Sequence, residues 1–214
     1  MAGLLLLGAG GHARVVAETA LASGRFGRIA FLDDRCTGPA QLPDQLCWPV
    51  IGPFAAALDP QVRQQFSAAL VAIGNAALRL QWLPRLAAAG YELPVLIHPT
   101  AWVSPSSQLG VGSVVFAQAA IQALAVIGSG AILNTGCSVD HDAQLGDGVH
   151  ICPGACLAGD VQVGDRSWIG IGASVIQQIR IGADVTVGAG AAVVRDLPDG
   201  VTAVGVPAWV LPTA

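Results

Sequence analysis

The chain has 214 residues and a formal net charge of −4, with 53% hydrophobic against 11% charged residues and ten arginines but no lysine. That length holds one or two compact domains. The dispersed arginines leave no basic footprint for nucleic acid, and no apolar run approaches the roughly 18 residues that span a bilayer.

In chain order, Leu4 to Leu7 predicts a buried strand. It is too short for the apolar core of a signal peptide, and Gly8-Ala9-Gly10-Gly11-His12 interrupts it as a tight turn, so a cytoplasmic protein is expected. Ala13 to Ala22 has helical composition, Arg28 to Leu32 predicts a second strand ending in Asp33-Asp34, and Ala69 to Ile73 a third. Gly74-Asn75 then leads into a helix from about Ala76 to Ala89. Strands alternating with helices imply a small parallel sheet, an α/β half-Rossmann domain over residues 1–94. Gly8, Gly10 and Ala13 fit a loose phosphate-binding turn, at which free N–H groups meet an anion, with Asp33 placed for a ribose. A plain βα turn with a solvated acidic strand end fits the same residues.

Residues 95–214 follow another rule. Every sixth residue from Ile97 to Val193 is Ile, Leu or Val, seventeen positions in succession. A period of six fits neither a helix nor an alternating strand. Gly110, Gly128, Gly146, Gly164 and Gly182 recur every eighteen residues, so three hexads make one repeat. The pattern predicts a triangular coil, a parallel β-helix with the aliphatic column inside and coils stacked at roughly 4.8 Å. The repeating glycines are expected at corners, relieving a positive φ or a tight bend. A second, shallower inward column of small residues is expected four positions after each aliphatic one, as at Ser113, Ala119, Ala125, Ala131 and Cys137.

Two of the four histidines fall on this coil close together, His141 within Val139-Asp140-His141-Asp142 and His150 nine residues on. Both are expected outside the aliphatic interior, near corners. An imidazole flanked by carboxylates suits a general base; a pair of solvated surface residues is the alternative. The odd number of cysteines, 36, 47, 137, 152 and 156, suggests no disulfide framework, and Cys152 and Cys156 lack a second pair for zinc. Few charges on a flat-sided coil suit burial of its faces in a homo-oligomer.

The six-residue period resembles that of the hexapeptide-repeat acyltransferases, which implies a left-handed β-helix, against the usual right-handed crossover. A closer resemblance is carried by Gly10-Gly11-His12, Phe31-Leu32-Asp33-Asp34, Ala72-Ile73-Gly74-Asn75, Leu96-Ile97-His98-Pro99, Asn134-Thr135, Val139-Asp140-His141-Asp142 and Gly205-Val206-Pro207-Ala208. These look like the bacterial nucleotide-sugar N-acetyltransferases that act on 4-amino-4,6-dideoxyhexoses, relatives of the sialic acid O-acetyltransferases. The resemblance implies acetyl-CoA as acyl donor, no metal, and a homotrimer. It implies His141 as base and Asp142 as the group raising its basicity. Gly10, Gly11, His12, Asp33, Asp34, Gly74 and Asn134 would bind the sugar nucleotide. His150, the backbone of Gly159, Ile171 and Ala189 would bind acetyl-CoA. O-acetylation of a sialic-acid-type sugar and a non-catalytic sugar-nucleotide-binding partner remain as alternatives. Some hexapeptide proteins are zinc carbonic anhydrases, but those need three histidines, and His98 lies several coils from His141 and His150. Three positions depart from the family. Asp142 stands where some members have Glu, and Ala189 where some have Gly. Trp209 stands where Lys or Arg is usual, which either weakens a CoA phosphate contact or offers a ring to the adenine.

Overall fold

A computed structural model describes residues 2–35 and 48–212, so Cys36 and Cys47 lie outside the described residues. The chain forms two units, dividing between Leu96 and Ile97.

The first unit is built on a three-stranded parallel sheet in the order β2-β1-β3, from β1 (Ala2–Leu7), β2 (Phe26–Leu32) and β3 (Ala68–Val71). Leu4 to Leu7 are all fully buried, as a central parallel strand covered on both faces requires. Gly8 follows at φ +109°, and a Cβ there would stand 2.6 Å from the Ala72 carbonyl oxygen, so only glycine lets β1 end this close to the segment after β3. Helix α1 (Gly11–Ala22) starts at once, with Gly10 as its N-cap and no side-chain cap.

Two elements escaped the sequence reading, a 3₁₀ turn over Phe54–Leu58 and helix α2 (Pro60–Gln65). Both are shorter than an apolar period can reveal. The signals that could have found α2 are Pro60 at its first position and Asp59, which accepts the Gln61 N–H at 2.7 Å. Helix α3 (Ala76–Ala88) is capped by Asn75, which accepts the Leu78 N–H at 2.9 Å, and it buries Trp82, Leu83 and Leu86.

The second unit is a left-handed β-helix of two-residue strands, from Trp102–Val103 to Ala192–Val193, on three parallel faces. Strands eighteen residues apart pair in register, as Ile132–Leu133 with His150–Ile151 and that with Trp168–Ile169. From Val115 to Val193 every residue of the aliphatic column is at most 3% exposed. Each such burial is worth about 1.5–3 kcal/mol, and the second column between them, Ala119 to Ala191, is buried throughout. Ile97, Val103 and Leu109 are less covered because no full coil precedes them.

The repeating glycines sit at corners for a different reason from the expected one. Gly110, Gly128, Gly146, Gly164 and Gly182 do not have positive φ. A Cβ on Gly128 would meet the Gly146 carbonyl carbon at 2.5 Å and Asp147 Oδ1 at 2.6 Å. What excludes a side chain is the next coil crossing directly over the glycine. Asp147 then reaches across to accept the Ser129 N–H at 2.6 Å, and Asp165 does the same for the Asp147 N–H at 2.8 Å. From Gly112 to Gly190 the left-handed residue is instead the fourth of each hexad, which turns the corner. Gly112, Gly130 and Gly136 occupy that position, and so do Leu124, Asp142, Asp160 and Gln178.

Candidate active site

His141 and Asp142 fall in such a corner, and the turn itself sets their geometry. Asp142 has φ 59°, a conformation that Asp tolerates better than most residues. Its Oδ2 lies 2.7 Å from His141 Nδ1. Asp140, on the other side, accepts the His141 backbone N–H at 2.7 Å. The Nδ1 proton is thereby committed to Asp142, leaving Nε2 as the basic nitrogen. The hydrogen bond to Asp142, with Asp140 and Asp160 nearby, raises the imidazole pKa above its ordinary value.

The ring rests on the next coil at Gly159, where a Cβ would stand 2.6 Å from Nε2 and from Cε1. Gly159 is buried and its carbonyl accepts the Gln178 N–H at 3.0 Å, while its own N–H finds no acceptor among the described residues. His141, Asp142, Leu124, Gln144, Asp160 and Gln178 border a pocket of about 490 Å³.

His150 is not near a corner. It lies on a flat face, 8% exposed, with the Trp168 ring edge-on at 4.2 Å between centroids. Position six of a hexad begins a strand, which is why the expectation of a corner fails. Asn134, one coil earlier on that face, puts Nδ2 3.1 Å from His150 Nε2, and its Oδ1 accepts the Thr135 N–H at 2.8 Å. Asn134 is thus paired with His150, the two having been assigned to different ligands. Ile171 and Ala189 occupy the same corner on successive coils, where the Gly190 N–H donates to the Ile171 carbonyl at 2.8 Å. Burial pushes the Cys137 thiol up to about 12 and the Cys152 thiol up to about 11, so neither is a ready nucleophile. No group of three or more His, Cys, Asp or Glu side chains is gathered in metal-binding geometry among the described residues.

In the first unit Gly10, Gly11, His12, Asp33, Asp34 and Gly74 come together around one pocket of about 450 Å³. Asp33 forms its wall rather than a vacant acceptor. It is 3% exposed, and it accepts the Ala9 N–H at 2.9 Å and the Arg35 side chain through both oxygens at 3.0 and 2.9 Å. These bonds, the Arg35 guanidinium first, hold its carboxyl far below the usual range. Asp34 spends one oxygen on the Phe54 N–H at 2.7 Å.

Sequence reasoning missed Arg79. It is 1% exposed, and its Nη1 donates to the Ile73 carbonyl at 2.7 Å, fixing the turn that ends in Gly74. Burial and the nearby Arg79 charge push the His12 pKa down to about 4, so the imidazole is neutral at physiological pH. The only signal in the sequence was an arginine on the apolar side of α3, four residues after its cap.

Residues 3–86 match the PglD N-terminal domain family. The whole chain is similar to the acetyltransferase domain of PglB from Neisseria gonorrhoeae FA1090 in complex with acetyl coenzyme A, at 48% identity over 98% of each chain with a TM-score of 0.90. It is similar to the H141N mutant of perosamine N-acetyltransferase from Caulobacter crescentus in complex with CoA and GDP-perosamine, at 43% identity, covering 100% of this chain and 98% of that one, TM-score 0.92. WeeI from Acinetobacter baumannii AYE matches at 26% identity, over 97% of this chain and 99% of that one, TM-score 0.87. No curated protein matches.

A histidine–aspartate corner on a hexapeptide coil, joined to a half-Rossmann pocket, is the architecture of a left-handed β-helix acyltransferase. The chain belongs to the hexapeptide-repeat nucleotide-sugar N-acetyltransferases. No helix among the described residues is long and apolar enough to cross a membrane.

Proposed function

We propose that this protein transfers acetyl from acetyl-CoA to the 4-amino group of a nucleotide-linked 4-amino-4,6-dideoxy sugar, in the cytoplasm, for bacterial glycan synthesis. Residues 1–94 hold the sugar nucleotide through the pocket of Gly10, Gly11, His12, Asp34 and Gly74. Residues 95–214 hold acetyl-CoA, with contacts at His150, Ile171 and Ala189, and carry the chemistry as a homotrimer.

The observation that supports this reading most is the seating of His141. Its Nδ1 is tied to Asp142 and its Nε2 lies over Gly159. The acceptor amine attacks the thioester carbonyl, the N–C bond forms, and the amine proton passes to His141 Nε2. The Gly159 N–H stabilises the oxyanion of the tetrahedral intermediate. Its collapse breaks the C–S bond, and the departing thiolate takes up the proton. Transfer is direct, in a ternary complex, without an acyl-enzyme.

The test is thiol release from acetyl-CoA with a panel of amino-sugar nucleotides, beginning with GDP-perosamine, which a relative binds. Turnover is expected with one of them, and His141→Asn should lower kcat by about 10²–10⁴-fold with the fold intact. Turnover with none, or a wild-type rate in His141→Asn, sinks the proposal.

A further inference from the structure

Use of acetyl-CoA, the reading on which this inference rests, requires the coil to hold a polyanion. Yet residues 97–214 carry three arginines against eight aspartates, with no lysine or glutamate. Few cations can answer the phosphates. Arg166 is already committed, its Nε and Nη2 donating to the two oxygens of Asp184 at 2.7 and 2.5 Å. Arg180 borders a groove shared with Asp196 and Asp199, and the Arg180 backbone N–H donates to Asp196 Oδ1. Arg195 differs from Arg166 in being unpaired by a carboxylate, and from both in resting on an aromatic ring. It forms no ion pair among the described residues, and its guanidinium lies over the Trp209 ring, 5.1 Å from the centroid.

Trp209 is 60% exposed, a costly position for an indole unless something covers it. It lies on the strand Trp209–Val210, antiparallel to Thr202–Val204, with Val204 directly opposite. Opposed residues of an antiparallel pair present their side chains on one face. Val204 in turn packs against Gly188, where a Cβ would come 2.7 Å from its Cγ1, and Gly188 adjoins Ala189. Ile171, Ala189, Val204 and Trp209 therefore follow one another along the coil toward its end. From the strand of His150 to that of Trp209 is four strand spacings on one face, about 19 Å. That is a span suited to an extended pantetheine arm.

We propose that Arg195 and Trp209 together grip the nucleotide end of CoA, the indole stacking on adenine and the guanidinium binding a phosphate. Indole is the strongest aromatic partner for a cation, so Trp209 also holds Arg195 in place before the ligand arrives. The cation usual at position 209 in the family is thus supplied from position 195, and position 209 is freed for stacking.

Calorimetric titration of the full chain with CoA and with adenosine 3′,5′-bisphosphate tests this in wild type, Trp209→Ala and Arg195→Ala. Trp209→Ala should weaken CoA binding about 5- to 150-fold, the range for losing one base–aromatic stack. Arg195→Ala should weaken it about 10- to 150-fold. Both variants should lose the bisphosphate, Trp209→Phe should retain most of the affinity, and turnover of S-acetyl-pantetheine, which lacks the nucleotide, should be unchanged in all. Wild-type affinity for CoA in both alanine variants overturns the assignment and leaves the acetyltransferase reading standing. Failure of the wild type to bind CoA overturns that reading, and this assignment with it.

Discussion

The imidazole of His141 lies on the bare Cα of Gly159, one coil away, so closely that a methyl group there would stand 2.6 Å from Nε2. Gly159→Ala keeps the backbone N–H but must push the ring aside. A displacement of about 1 Å can cost 10²-fold in rate, so kcat is expected to fall roughly 10- to 100-fold with the melting temperature little changed. Steady-state kinetics beside a thermal melt checks this, and an unaltered kcat would show that the ring position is unimportant.

The pH profile follows from the Asp142 contact. His141 must be neutral to accept a proton, and its pKa is raised, first by the hydrogen bond to Asp142. Activity should therefore rise with pH through a value above the ordinary imidazole pKa. In Asp142→Asn the carboxylate charge is gone, so the acidic limb should move to lower pH while the plateau rate drops. The acceptor amine titrates identically in both proteins, so the difference between their profiles isolates His141. Coincident limbs would refute the coupling.

Asp33 and Asp34 should behave differently although adjacent. Asp33 is buried against Ala9 and Arg35, and its folded pKa is depressed. It contributes stability that is present above the unfolded value near 3.8 and lost as pH falls below it. Asp33→Asn should lower the melting temperature of the first unit by about 5–15 °C at neutral pH, and weaken the pH dependence of its melting below about pH 4. Asp34→Ala should instead raise the acceptor KM, roughly 10- to 150-fold, with acetyl-CoA affinity unchanged. Calorimetry and initial rates separate the two, and equal thermal losses would contradict the distinction.

Two glycines of the coil make a similar contrast. Gly146→Ala would drive a methyl into Asp165 and its backbone N, the latter at 2.7 Å, which should cost about 1–3 kcal/mol or more in overpacking. Gly136 has φ 64° and open space around it, so Gly136→Ala should cost only the left-handed strain, about 1–2 kcal/mol. Denaturant unfolding should rank Gly146→Ala below Gly136→Ala. The reverse order would mean that backbone strain governs this coil.

Assembly is checked by light scattering. The flat faces carry exposed Trp102 and Val126, and a threefold multiple of the chain mass is expected at micromolar concentration. A fully active monomer would end the trimer proposal.

The coil was legible in the sequence because its period repeats an identical physical demand: one aliphatic side chain per hexad inside a narrow prism. The first unit was legible at β1, where four consecutive leucines need cover on both faces. What stayed hidden depended on contacts distant in sequence. Gly128 reads as a turn residue until Asp147 is seen crossing it, and Asp33 reads as a ligand acceptor until Arg35 is found filling it. His150 reads as a surface imidazole because nothing local announces Trp168, eighteen residues on, as its cover. His141 and Asp142 were readable because that pair is adjacent and the hexad position fixes its corner.

The seat of His141 on Gly159 also constrains how such a coil can change length. Adding one whole eighteen-residue storey beyond Ala192 would leave every inward column in phase and the seat of His141 untouched, though it would carry Arg195 and Trp209 one strand spacing further from His150. Adding the same storey between Asp142 and Gly159 would preserve the fold equally well, yet it would slide an unrelated residue beneath the imidazole. The prism is indifferent to its number of floors, while the chemistry is bound to two neighbouring ones. Natural or engineered lengthening toward the ends of the coil should therefore spare the chemistry at His141, while lengthening in its middle should silence the enzyme.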